Sequence, residues 1–526
     1  MQPILTPSEA SALDGAAEAR GISTSSLMER AGWAVATATA RVAEGRAGRR
    51  AVVVMGPGNN GGDGAVAARI LSNWGMRVTA VSLSGEDHIG PRFGGGPAAD
   101  NLLRLVGETT VGVELFSRER LTRELDRADV AIDAIFGTGF HGEPEGRFAE
   151  AIELLAASDV PVVAADIPSG VNGATGAIVG TAVRAARTVG LGALKPGVVL
   201  PPGSFAAGEV EVADIGFPSD LVRSDLHLVE ASDVAALVPH RAPDTHKRAT
   251  GVVLIVGGSR AMTGAVSLMA EAAAAVGAGL VIVATPESAM PVVQGNVTEA
   301  VFLPLPETKE GTVAEEALGA LLEKDADADA AAIGPGMTTE AETQTLVRSF
   351  AENSPKPFVL DADGLNAFAG RSTALAKRKA PAVLTPHLGE FARLSGLHAE
   401  EIAAGRIAAV RELARATDAA VLLKGSSTVI ASPGGPARVN PTGTSYLATA
   451  GSGDVLTGMT AGLTARGLDP FDAASAAAYL HGIAGSIAGA SKGEGTTARD
   501  VVAAVPLAVR RAQAGAAAGA AAGAEA

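Results

Sequence analysis

The chain has 526 residues, with 42 Lys+Arg against 57 Asp+Glu for a formal net charge of −15, no cysteine and 3% aromatic residues. That balance argues against a nucleic-acid or anionic-membrane surface, and the missing cysteines exclude disulfides, thiolate nucleophiles and Cys-ligated zinc. The length fits two large α/β domains, and the first ten residues lack the basic and apolar regions of a signal peptide, so a cytoplasmic protein is expected.

In chain order, residues 25–44 carry helical spacing (Leu27, Met28, Ala31, Val35, Ala38 and Val42), and residues 51–55 read as a short buried strand. A glycine-rich turn over 56–64 follows, then a helix over 65–74 and a strand over 77–81. This order makes a βαβ unit with a ligand site at its first turn. Gly56, Gly58 and Gly61 satisfy G-x-G-x-x-G, and Glu86 stands where a dinucleotide fold keeps its ribose acid. A dehydrogenase turn has no use for Asn59, Asn60 and Asp63 among five glycines, whereas a site gripping a polar ligand or a hard cation needs those oxygens. Further strands are predicted over 129–136, 161–169 and 187–191. They set Asn60, Asp133, Asp166, Ser169 and Lys195 at strand carboxyl ends, where ligands gather in parallel α/β sheets.

Four stretches of this half, 27–32, 58–64, 133–139 and 166–171, resemble the NAD(P)H-hydrate epimerase domain, over about residues 1–224. The resemblance implies a Rossmann-like three-layer fold. It also implies a hydrate site lined by Asn59, Asn60, Gly61, Gly62, Asp63, Gly137, Thr138, Gly139, Phe140, His141, Gly142, Glu143 and Asp166. A potassium ion would be held by Asn60, Asp133 and Ser169, with Asp166 as acid and base at the hydrated carbon of the nicotinamide ring.

A strand over 209–213 and a connection bearing proline and charge, running through 239–243, place a domain junction near 225. Beyond it, strands over 251–256, 280–284, 330–333, 358–360, 382–384 and 419–423 recur, most ending in polar or glycine-rich loops, with a helix over 262–276. The apolar stretch 473–490 contains His481 and reads as a packed interior helix, not a membrane span. Residues 450–458 form a glycine-rich turn running into an apolar helix (Val455, Leu456, Met459 and Leu463), leaving backbone N–H groups free to meet an anion. Asp454 in that turn suits a general base for phosphoryl transfer. Plain helix capping by Ser452 and Asp454 is the alternative. Residues 512–526 are an Ala/Gly-rich tail expected to fray.

The combination of 334–336, 361–366, 385–387, 424–428, 440–443 and 451–454 resembles the ribokinase-like superfamily, and within it the ADP-dependent NAD(P)H-hydrate dehydratase domain, over 225–511. The resemblance implies a second three-layer α/β domain in which Lys424, Gly425, Ser426, Ser427, Thr428 and Gly453 bind the adenine nucleotide. Ala265, Gly336, His387 and Asp454 would face the hydrate. Together the two halves imply a bifunctional repair enzyme that epimerises the R and S hydrates of NADH or NADPH. It would dehydrate the S form with ADP as phosphoryl donor, releasing AMP and phosphate, with Mg2+ offsetting phosphate charge. A homo-oligomer without membrane or nucleic-acid partners is expected. A ribokinase-like small-molecule kinase fused to a non-catalytic Rossmann-like binding domain is the alternative.

Overall fold

The computed structural model describes residues 1–84, 96–238 and 240–524, and side chains as far as residue 514. Glu86 and Pro239 lie outside the described residues. The chain divides into two compact units, Gln2–Ser224 and Asp225–Ala526.

In the first unit, seven strands form one parallel sheet: β1 (Arg50–Met55), β2 (Arg77–Ser82), β3 (Val113–Leu115), β4 (Val130–Ala134), β5 (Val162–Ala165), β6 (Arg187–Leu191) and β7 (Glu209–Ala213). Their order, β3-β2-β1-β4-β5-β6-β7, reverses direction between β1 and β4. A crevice opens beyond the carboxyl ends of strands at such a switch point. The pleat sends Val53 and Met55 to one face, packed with Val66, Leu71 and Leu105 from helices. Val52 and Val54 go to the other, packed with Leu121, Leu125, Ile152 and Leu155. These are three layers, as a parallel sheet buried on both faces requires.

The helix after β1 spans Asn59–Asn73 and starts six residues before the position read from sequence. Asn and Gly are poor helix formers, so the pattern over 59–64 hides the first turns. Tertiary approach explains the glycines instead: a Cβ on Gly61 would lie 2.0 Å from the Gly56 carbonyl oxygen, and one on Gly64 2.6 Å from the Ala134 Cβ.

In the second unit the strands are β8 (Leu226–Leu228), β9 (Val252–Val256), β10 (Leu280–Pro286), β11 (Val301–Leu305), β12 (Ala330–Ile333), β13 (Phe358–Leu360), β14 (Ala382–Leu384), β15 (Ala420–Leu423), β16 (Thr428–Ala431) and β17 (Ala437–Asn440). They run in the order β8-β17-β16-β15-β14-β13-β12-β9-β10-β11. Pairing is parallel from β11 across to β15, while β15, β16 and β17 pair antiparallel. β9 therefore sits at a second switch point, and the loops after β9, β12, β13, β14 and β15 share one sheet edge.

One face of this sheet is covered by the helices Thr263–Ala275, Ser452–Ala465 and Pro470–Lys492, which enter a core with Val253, Ile255, Val359 and Leu422. The first two approach closely: a Cβ on Gly458 would lie 2.2 Å from the Met269 carbonyl oxygen. Stretch 473–490 is interior helix, and among the described residues no helix is long and apolar enough to cross a membrane. The tail continues the helix Ala498–Ala524, in keeping with alanine's high helix propensity.

Candidate functional sites

In the first unit the loops after β1, β4, β5 and β6 surround a cavity of about 650 Å³. Asp166 follows β5 with φ 68°, a left-handed conformation uncommon outside glycine, and is 6% exposed. Such backbone persists where its surroundings fix it, and here they do. Oδ1 is 2.5 Å from Lys195 Nζ and accepts from Leu191 N at 3.3 Å, while Oδ2 accepts from Thr138 N at 3.0 Å. Lys195 also donates to the Leu191 carbonyl at 2.7 Å. A buried ammonium and two amides thus fix the position of this carboxylate.

Asp133, at the end of β4, is fully buried and accepts from Ser169 Oγ at 2.6 Å, Ser169 N at 2.7 Å and Ile135 N at 3.2 Å. Burial pushes its pKa up to about 6 against these bonds. Asn60 donates from Nδ2 to the Phe136 carbonyl at 2.8 Å, leaving its Oδ1 buried without a partner. The Phe136 amide in turn donates to Ser169 Oγ at 2.9 Å. Asn60, Asp133 and Ser169 are thereby drawn together around the Phe136 peptide.

Of the expected hydrate-site residues, Asn59, Asn60, Asp63, Gly137, Thr138, Gly139, Phe140, His141 and Asp166 line the cavity. Gly61 and Gly62 do not. A Cβ on Gly62 would lie 2.7 Å from Met28 Sδ, so Gly62, like Gly61, serves close packing. Glu143 borders a different groove beside Phe136, Phe140 and Phe148. Gly142 lines neither surface and turns the loop with φ 89°. Lys195 and Asp14 also line the cavity. Lys195 was legible as a strand-end residue; Asp14, from the helix Pro7–Ala19, had no sequence signal.

In the second unit Gly451 is the left-handed N-cap (φ 86°) of Ser452–Ala465, and Asp454 occupies the first turn. A Cβ on Gly453 would lie 3.4 Å from Lys424 Nζ, and one on Gly451 3.8 Å from Asp454 Oδ2. Lys424 does not reach along its own loop. It turns into a cluster of carboxylates, 2.8 Å from Asp361 Oδ1 and 3.8 Å from Glu390 Oε2. The other Asp361 oxygen accepts from Thr457 Oγ1 at 2.6 Å, which ties the cluster to the helix of Asp454.

Burial first, then Asp361, push the Asp454 pKa up to about 7, with Lys424 opposing. Burial alone would lower the Lys424 pKa; Asp361 and Glu390 outweigh it and raise it. Ser452 Oγ meets His481 Nε2 at 3.2 Å, and burial holds this histidine neutral, its pKa down to about 4.

The remaining expected residues are spread around this edge. Gly336 (φ 75°) and Ala265 adjoin, a Cβ on the first lying 3.4 Å from the Cβ of the second. Nearby Gly258 sits beside Thr285, and the hydroxyls of Ser259 and Thr285 are buried without partners. His387 caps its own helix Leu388–Ser395, accepting at Nδ1 from Gly389 N at 3.0 Å. Its Nε2 lies 3.4 Å from Glu390 Oε1. Gly425 and Ser426 are exposed, Ser427 is half-buried, and Thr428 opens β16. Asp361, Glu390 and His481 were present in the sequence motifs and apolar stretch, but spacing alone does not reveal that they converge on Lys424 and Ser452.

Comparison with known proteins finds two family matches: residues 253–507 match the family described as NAD(P)H-hydrate dehydratase, and residues 24–197 that described as YjeF-related protein N-terminus. The bifunctional NAD(P)H-hydrate repair enzyme of Thermofilum pendens is 41% identical over 484 residues, covering 91% of this chain and 90% of that protein. The enzyme of the same name from Moorella thermoacetica is 41% identical over 482 residues, covering 89% of each. Among solved structures, the ADP/ATP-dependent NAD(P)H-hydrate dehydratase of Bacillus subtilis, co-crystallised with ATP and Mg2+, is 31% identical. That match covers 55% of this chain and all of that one, with a TM-score of 0.47.

Proposed function

The chain belongs to the family of bifunctional NAD(P)H-hydrate repair enzymes, and from that premise we propose how its two units divide the work. The first interconverts the R and S hydrates of NADH or NADPH; the second dehydrates the S form with ADP. The observation that carries the second role is Asp454, a carboxyl in the first turn of a glycine-started helix, beside Lys424 and with a pKa of about 7. General-base catalysis is most effective with a pKa near the working pH. The helix start offers amides to a phosphate. The family match leaves no support for the alternative of a small-molecule kinase.

In this reading Asp454 takes the proton of the ring hydroxyl while its oxygen attacks the terminal phosphorus of ADP. The bond to the bridging oxygen breaks and AMP leaves. The amides of Gly451 and Gly453 oppose charge on the transferring group. Phosphate is a far better leaving group than hydroxide; its departure, with loss of a proton from the neighbouring ring carbon, restores the double bond of NAD(P)H. Gly425, Ser426, Ser427 and Thr428 would bind the adenine nucleotide. Ala265, Gly336 and His387 would face the hydrate, and Lys424 would hold the acidic cluster while presenting charge to the phosphates.

Among the described residues no group of three or more acidic or histidine side chains is arranged to hold a metal ion. Magnesium is held mainly by substrate phosphates with one or two carboxylates, so Mg2+ would arrive with the nucleotide and offset phosphate charge. The potassium site fits better: the unpaired Asn60 Oδ1, with Asp133 and Ser169, supplies the neutral and anionic oxygens that a large monovalent cation takes. There it would supply positive charge near the hydrate. Asp166 would exchange protons at the hydrated carbon.

Two variants separate the roles. Asp454→Asn should keep nucleotide binding and lose dehydration, and near-normal turnover would put the base elsewhere. Asp166→Ala should lose epimer interconversion while still dehydrating the S hydrate; loss of both activities would contradict separate sites.

A further inference from the structure

The cavity of Asp166 holds a second carboxyl in an opposite setting. Asp63, on the helix Asn59–Asn73, is 7% exposed and lines the cavity. Among the described residues its side chain makes no hydrogen bond and no ion pair. Asp166, by contrast, has the Lys195 ammonium at 2.5 Å and two backbone amides. A buried carboxyl without a partner is costly as an anion and takes up a proton instead. Burial, then the negative charges of Asp166 and Asp14, hold the Asp63 pKa well above the usual carboxylate range, Lys195 only partly opposing. His141 is the other titratable side chain on the cavity wall. One carboxyl without a side-chain partner, facing the same cavity as another that is paired with an ammonium and two amides, is the asymmetry that an acid and base pair requires.

We propose that Asp63 carries a proton in the resting protein and is the acid of the epimerisation, with Asp166 as its basic counterpart. This rests on reading the first unit as an epimerase. Asp63 gives its proton to the hydroxyl oxygen of the hydrate. The C–O bond breaks with its electron pair leaving on water, and the ring-nitrogen lone pair closes a C=N+ bond whose charge the Asp166 carboxylate opposes. Water then adds to the other face of that carbon, its surplus proton passing to Asp166. The proton returns to Asp63 through water in the cavity, which restores the ion pair of Asp166 with Lys195. Atoms and charge balance, and no further reagent is consumed. An amide at position 63 could still donate a hydrogen bond to the substrate but could not give up a proton.

The test uses the full chain. At pH 7 without substrate, the infrared difference between wild type and Asp63→Asn should contain the C=O band of a protonated carboxylic acid. Conversion of a single purified epimer, without nucleotide, should fall in Asp63→Asn by about 10²-fold or more in kcat with KM little changed, the usual weight of a general acid. Asp63→Glu should restore part of that loss, and dehydration of the S hydrate with ADP by the same preparations serves as the reference for intact protein. The proposal is overturned if the band is absent, or if Asp63→Asn changes only KM. A wild-type chain that does not interconvert the epimers overturns the epimerase reading itself. Normal interconversion by Asp63→Asn overturns the role of Asp63 alone.

Discussion

The pKa of about 7 at Asp454 makes dehydration acid-sensitive in a calculable way. Only the ionised carboxylate accepts the hydroxyl proton, so the ionised fraction is about one half at pH 7, one tenth at pH 6 and one hundredth at pH 5. The rate with isolated S hydrate and saturating ADP, followed as recovered NAD(P)H absorbance, should therefore fall about fivefold from pH 7 to 6 and about tenfold from pH 6 to 5. A bound diphosphate adds negative charge, which raises the pKa of a neighbouring carboxyl and moves this limb to higher pH. Lys424 acts in the opposite direction, its positive charge lowering the Asp454 pKa. Lys424→Gln should move the limb upward by on the order of one pH unit, the size of effect a nearby opposite charge has on a carboxyl. The variant also leaves Asp361 and Glu390 without the cation that stands 2.8 and 3.8 Å from them. Breaking a buried pair this way costs about 3–5 kcal/mol, so rates are read at a temperature where the variant is folded. Taking the ratio of variant to wild type at each pH cancels titration of the nucleotide itself. A rate independent of pH between 5 and 7, or a limb that Lys424→Gln does not move, would refute Asp454 as the base.

Three further outcomes follow from the packing and charge. His481 is buried neutral, its pKa lowered from 6.5 to about 4, so its contribution to stability is present above pH 6.5 and is lost as pH falls toward 4. Between pH 7 and 5 the loss is about 2 kcal/mol; denaturant titration of wild type and His481→Gln should show it only in the former. Gly458→Ala sets a methyl group 2.2 Å from the Met269 carbonyl oxygen, whereas Gly319 has open space. The first should cost about 1–3 kcal/mol or more and Gly319→Ala should gain up to about 1 kcal/mol, both readable as shifts in thermal midpoint. If Asn60, Asp133 and Ser169 hold potassium, KCl should raise the thermal midpoint above that in an equal concentration of a bulky organic cation. Asp133→Asn should abolish the difference, and an equal response in both proteins would remove the site.

The strands that form the middle of each sheet are legible because most are continuous runs of Val, Ile, Leu and Ala buried on both faces, as in 252–256 and 330–333. Of the outlying strands, β7 is legible over 209–213 but β3, β8 and β11 are not. β11 carries Pro304 and has Val301 52% exposed, and β3 and β8 have only three residues each, too few for a period to declare itself. The hairpin of β16 and β17 was hidden because Thr428 read as loop. Strand-end logic finds the site residues that directly follow strands, such as Asp166, Lys195, Asp361 and Lys424. It cannot say which way a long side chain turns: Lys424 spends its charge on Asp361, and Lys195 on Asp166. The helix start at Asn59 was missed because its glycines are chosen for backbone approach, a requirement that exists only once the Gly56 carbonyl and Met28 are in place.

The most direct measurement supplies the purified chain with a mixture of R and S hydrates and ADP and follows NAD(P)H absorbance to completion. Two cooperating sites in one polypeptide predict quantitative recovery, because the first unit converts the R form to the S form that the second consumes. Recovery that stops at the S fraction would contradict the epimerase half of the account, and no recovery would contradict both halves.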